Sequence, residues 1–164
     1  MIILAVFVLG IINYNIYEKQ KIKDHGEIIL LELTPVDPRS LMQGDYMRLR
    51  YALEDKAEVN KLQSHQKRGY MVIRPDNKNV AQFVRFHEGE QLIENERLLH
   101  FKRNKHWSES LQIMPNSYMF QEGNAEYYEN AKYGVFKFNN NGKHLLVGLA
   151  DTNRKTIIIG DYTK

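Results

Sequence analysis

The chain has no cysteine. That absence excludes a disulfide framework, a cysteine-ligated zinc, a thiol nucleophile and an iron–sulfur cluster. It leaves the compartment open, because a domain of this size folds without staples. The motif spacings of cofactor and metal chemistry are missing too. The six histidines are His25, His65, His87, His100, His106 and His144, and no two stand four residues apart as in a helical zinc-protease pair. No glycine-rich phosphate loop, dinucleotide fingerprint or Gly-x-Ser-x-Gly elbow occurs. Neither a metal nor a cofactor is therefore expected. There is no long block of one charge: 23 Lys+Arg against 20 Asp+Glu leave +3, spread along the chain. Nucleic-acid binders gather cations into a patch or stripe. The densest cluster, Lys102, Arg103 and Lys105, is short and reads as a solvated strand end, so no nucleic-acid partner is expected.

What is present fits one domain. The chain has 164 residues, 43% hydrophobic and 26% charged, which is ordinary globular usage. Residues 1–17 carry no charged side chain, and Asn13 and Asn15 are the first polar ones. A secretory signal would place basic residues before the apolar run and small residues at a cleavage site, and neither is there. A start upstream of Met1 would also explain the missing basic leader. The run shows no amphipathic period. It is expected to be a single-pass membrane-anchor helix at the short limit of about 17 residues. Residues 18–26 are then a linker and 27–164 one β-rich domain. The basic residues follow the run, so charge does not fix sidedness.

The remainder reads as strands. Residues 27–33 are β-rich, and residues 46–53 alternate: Met47, Leu49, Tyr51 and Leu53 on one side, Tyr46, Arg48, Arg50 and Ala52 on the other. Residues 54–67 and 123–132 suggest short helices. In the second of these, the adjacent Tyr127 and Tyr128 cannot both face one core. Residues 70–74 and 80–87 form a hairpin around a Pro-Asp-Asn turn, and 97–103, 110–114 and 155–160 are further strands. Residues 133–138 and 143–150, joined through Asn141-Gly142, make the clearest hairpin. The pattern predicts a mainly β fold, an antiparallel sandwich or barrel-like domain with one or two short helices. Two carboxylate pairs, Glu88/Glu90 and Glu94/Glu96, read as solvated loop charge, and Trp107 lies in a polar stretch.

One segment carries more information. From Pro35 it reads Pro-Val-Asp-Pro-Arg-Ser-Leu-Met-Gln-Gly-Asp-Tyr-Met-Arg-Leu-Arg-Tyr51. Asp37 suits a helix N-cap, Pro38 the first helical position and Gly44 the C-terminal stop, so a single helical turn is expected before the strand. Arg48, Arg50 and Tyr46 then line one strand face. Two guanidiniums two residues apart repel unless carboxylates or anions meet them. Asp45, Asp37 or Glu122 would supply carboxylates from within the fold. Alternatively the face, with Arg39, receives an acidic or carbonyl group from outside. Tyr51 and Leu49 point to the core.

Residues Gly44-Asp45-Tyr46-Met47-Arg48-Leu49-Arg50-Tyr51 match every fixed position of the motif that names the bacterial GDYXXLXY family, which the chain resembles. Val36 to Leu41, the stretch Met119-Phe120-Gln121-Glu122-Gly123, and Tyr133-Gly134 are similar to that family as well. The resemblance implies a membrane-anchored protein in the company of polytopic membrane proteins, and it carries no catalytic residues. The expected function is a non-enzymatic extracytoplasmic accessory subunit at the bacterial inner membrane, its domain on the periplasmic side, docking a polytopic inner-membrane protein through the Asp37–Tyr51 face. One alternative is a binding module for an anionic envelope ligand at the same arginines. A second is a Ser–Lys hydrolase around Ser40, whose likeness to the signal peptidases is partial: Leu41 rather than a methionine follows Ser40, and Gly44 is only four residues on.

Overall fold

The computed structural model describes residues 2–34, 42–43, 46–57, 67–104, 110–139 and 142–159. It opens with helix α1 (Ile2–His25), which continues without a break through the stretch read as a linker. Lys23 and His25 in its last turn complement the negative helix end. Gly26 stops it, donating its N–H to the Ile22 carbonyl at 2.9 Å.

Strand β1 (Glu27–Glu32) follows directly and pairs with β9 (Tyr133–Phe138), which pairs in turn with β10 (His144–Ala150). A second small sheet joins β2 (Met42–Gln43), β3 (Tyr46–Arg48) and β8 (Ser117–Met119). A third has the order β5 (Ala81–Phe86), β4 (Arg68–Pro75), β6 (Arg97–Asn104), β7 (Ser110–Ile113). Every strand pair is antiparallel. A parallel bridge between Leu30 and Val80 brings the first sheet to the edge of the third. Two short helices, α2 (Ala52–Lys56) and α3 (Ala125–Tyr128), complete the described elements. The mainly β, antiparallel prediction holds, and the sheets curve as a half-barrel about one core. Ile29, Leu31, Phe136 and Phe138 from the first sheet meet Met47 from the second and Met71, Ile73, Leu99, Phe101 and Ile113 from the third. The period-two alternation of each strand delivers these side chains to one side.

Several local expectations change. The strand from Tyr46 ends at Arg48, and the chain turns into α2 at Ala52. The apolar alternation survives the change of element, because Met47, Leu49, Tyr51 and Leu53 are all buried. α2 is a single turn, and residues 58–66 of the expected helix lie outside the described residues. The helix expected over 123–132 shrinks to α3, with Tyr128 buried and Tyr127 half exposed. Residues 155–159 make one bridge, Thr156 to Ala150, instead of a strand. Met42 and Gln43 are strand, so the helical turn expected before Gly44 does not reach them.

The membrane-spanning anchor also needs correction: no described helix is long and apolar enough to cross a membrane. The charge-free part of α1 ends at Tyr17. At 1.5 Å per residue it rises about 24 Å against a hydrocarbon core of about 30 Å.

α1 is nevertheless fixed to the domain at its other end. Ile22 is buried, Glu18 pairs with Lys143, and Lys137 donates to the Lys23 carbonyl. A Cβ on Gly26 would come within 2.5 Å of the Ile22 carbonyl oxygen, 2.9 Å of Lys137 Cβ and 3.1 Å of the Phe138 carbonyl oxygen. Gly10 has nothing within 4 Å of the same position. Gly26→Ala is therefore expected to lower the melting temperature by several degrees, and Gly10→Ala to leave it unchanged or raise it slightly by helix propensity. Differential scanning calorimetry of the two variants checks this.

Candidate functional site

The family-like segment splits into an inward and an outward half. Inward, Tyr51 is fully buried and packs edge-on against Phe136, ring centroids 5.7 Å apart. Its hydroxyl donates to the Pro115 carbonyl at 2.7 Å. Burial, with Glu54 adding to it, pushes the phenol pKa well above its ordinary value, so Tyr51 is a neutral donor. Gly134 supplies the room: a Cβ there would stand 3.2 Å from both the Tyr51 and Phe136 rings. The two family-like elements thus meet in space. Leu49 is buried and donates its N–H to the Asn116 carbonyl, while Tyr51 bridges Leu33 and Thr34 donates to the Arg50 carbonyl. Tyr133 pairs with Glu32 and Ala150 in the same sheet. Gly123 adopts φ +83°, a conformation that other residues rarely hold.

Outward, register decides which groups share a face. Tyr46 lies opposite Met119 and Arg48 opposite Ser117, while Met47 opposite Tyr118 faces the core. Arg48 is exposed and has no ion-pair partner among the described residues. Met119, opposite Tyr46 and diagonal to Arg48 on the same face, is 78% exposed. A guanidinium and a bare apolar side chain therefore stand together on the open side of the small sheet. Met119 belonged to the family-like stretch, but only the pairing of β3 with β8 reveals it as a surface group.

Arg50 behaves differently. Among the described residues it pairs with Asp55 on α2 and not with Glu122. The turn into α2 brings Asp55 round, and a continuous strand would have carried it away. Glu122 is exposed beyond Met119, at the Tyr46 end of β8 and so at the opposite end of the strand pair from Arg48. Asp37, Pro38, Arg39, Ser40, Gly44, Asp45 and Trp107 lie outside the described residues.

Two carboxylates were hidden from sequence reasoning. Glu96 is not solvated loop charge. Its carboxylate is fully buried, gripped by both terminal nitrogens of Arg85 at 2.7 and 2.9 Å and by Arg74 at 3.0 Å. The Arg85 hydrogen bonds hold its pKa down at about 2. Glu54 caps the edge of β7, accepting the Ile113 N–H at 2.8 Å. Burial lifts its pKa to about 7. No group of His, Asp or Glu among the described residues is arranged to hold a metal ion.

The family model described as GDYXXLXY protein matches residues 8–149. No curated protein and no solved structure matches the chain.

Two outcomes follow from the inward half. Tyr51→Phe leaves the Pro115 carbonyl buried without its donor, a loss of about 1 kcal/mol, so the melting temperature should fall by roughly 2–4 °C. Glu54 binds its proton more tightly folded than unfolded, so its contribution favours folding below pH 4.5 and is lost as pH rises towards about 7. Urea melts across that interval should show stability declining with pH in the native protein and declining less in Glu54→Gln.

Proposed function

The chain belongs to the GDYXXLXY family, and on that premise we propose a non-enzymatic accessory domain seated on a bacterial inner membrane and docked to a polytopic membrane protein. The observation that carries this reading is the state of α1. Leu4, Phe7, Leu9, Ile12, Tyr14 and Ile16 are all exposed by about half or more. They lie around the helix rather than along one stripe. A helix apolar on every side is stable where apolar material surrounds it. The charge-free residues ahead of Tyr14 therefore enter the hydrocarbon of a bilayer. Exposed Tyr14 and Tyr17 sit where the charged turns begin, matching the aromatic belt of membrane interfaces.

The outward face of the small sheet is then the docking surface. Arg48 meets a carboxylate or carbonyl of the partner, and Met119 and Tyr46 supply apolar contact around it. The extracytoplasmic placement rests on the location that the family likeness implies. The same face would also suit an anionic envelope ligand, since Arg offers two parallel donors to a carboxylate or phosphate.

Purification of the full-length chain from native membranes in mild detergent tests the reading. A stoichiometric polytopic protein should accompany it and be lost from Arg48→Glu, with the melting temperature of the variant within about 1–2 °C of the parent, as for other exposed substitutions. A chain that emerges alone contradicts docking and moves the weight to the anionic ligand.

A further inference from the structure

The cations that look scattered in the sequence are gathered by strand register. Arg68 on β4 lies opposite Lys102 on β6, and Tyr70 lies opposite His100 two residues along. Opposed residues and their i+2 neighbours share a face. The other face of this strand pair carries Met71, Leu99 and Phe101 into the core. Arg68 and Lys102 are exposed, and neither has an ion-pair partner among the described residues.

This face runs up to α1. A groove of about 380 Å³ is walled on one side by Asn15, Lys19 and Ile22 of the helix and on the other by Tyr70, His100 and Lys143. Lys19 is exposed and likewise has no ion-pair partner among the described residues. Glu18 is the acid of the groove, and Lys143 already pairs with it. Elsewhere on the sheet, Glu90 beside His87 and Glu96 at the start of β6 are taken by Arg85 and Arg74. The excess charge near α1 is positive.

Direction matters as much as sign. Arg97, at the start of β6, pairs with Glu27 just past the C-terminal end of α1 at 2.5 Å. Three residues further along β6, His100 shares the groove with Asn15 and Lys19. β6 therefore advances alongside α1 as the helix runs back towards its apolar end. Lys102 and Arg68 lie further still in that direction.

We propose that the face formed by Lys19, Arg68, His100 and Lys102 binds the phosphate headgroups of anionic phospholipids in the membrane that α1 enters. The inference rests on the membrane reading above and adds a lipid class to it. Cations without an ion-pair partner among the described residues, held at the level of an interface, attract anionic lipid, and each adds about fivefold to partitioning. α1 supplies binding that is indifferent to headgroup charge, and this face supplies the part that depends on it.

The test measures partitioning of the full-length chain onto vesicles of phosphatidylcholine alone and of phosphatidylcholine mixed with phosphatidylglycerol. The chain should bind both, and the mixed vesicles more tightly, with the gain shrinking as salt is added. Arg68→Gln combined with Lys102→Gln should cut the gain by roughly 25-fold and leave binding to neutral vesicles unchanged. Exchanging the two cations, Arg68→Lys with Lys102→Arg, should keep the gain. Equal binding to both vesicles, or a double Gln variant that retains the gain, overturns the lipid-binding face while the membrane reading stands. Binding to neither vesicle overturns both.

Discussion

Tyr51 lies between the ring of Phe136 and the bare backbone of Gly134, with its hydroxyl on the Pro115 carbonyl. Phe136 and Gly134 belong to the first sheet, Tyr51 leaves the second, and Pro115 is in the connection from the third sheet to β8. One side chain therefore ties all three sheets by packing and by a part-buried hydrogen bond. Burying a large side chain is worth about 1.5–3 kcal/mol, and an aromatic edge contact adds about 0.5–1.5 kcal/mol. The geometry also explains why a tyrosine at the end of one element and a Tyr-Gly pair some 80 residues later occur in one chain. A side chain at 134 would push directly into both rings.

That junction sets the outer surface. With Tyr51 and Leu49 fixed inward, Arg48 and Tyr46 are fixed outward, and β8 places Met119 beside them. The turn that follows Tyr51 spends Arg50 on Asp55 and Glu54 on the β7 edge, so among the described residues of this segment Arg48 is the guanidinium without an ion-pair partner. The first sheet performs a parallel task for α1. Its hairpin of β9 and β10 receives Ile22 and pairs Lys143 with Glu18, and the bare Gly26 lets helix and strand meet closely. The apolar end of α1 thus extends from a helix base packed against the first sheet.

Strand positions were legible where alternation or turn chemistry was strong. Met47, Leu49, Tyr51 and Leu53 share one side in the sequence pattern and all are buried, even though the backbone changes from strand to helix among them. Spacing by two continues to point inward there because α2 begins at a tight turn, and periodicity alone cannot report that turn. The Asn-Gly hairpin and the split between Tyr127 and Tyr128 were equally readable. What stayed hidden depends on long-range pairing. Arg50 finds Asp55 through the turn into α2, Glu96 finds Arg85 and Arg74 across β5 and β4, and Arg68 meets Lys102 only through strand register. Counting charges along the chain read Lys102 as part of a short local cluster, whereas its neighbour in space is 34 positions away.

The central claim is that the charge-free part of α1 lies in a bilayer while the β domain remains in water. The absence of native cysteine makes it directly measurable. A single cysteine is placed at Leu9 in one variant and at Ile158, exposed on the β domain away from the docking face, in another, and intact native membranes are treated with a water-soluble maleimide. Ile158→Cys should label at once, and Leu9→Cys should stay protected until detergent dissolves the membrane. Equal labelling of the two sites before detergent would contradict the account.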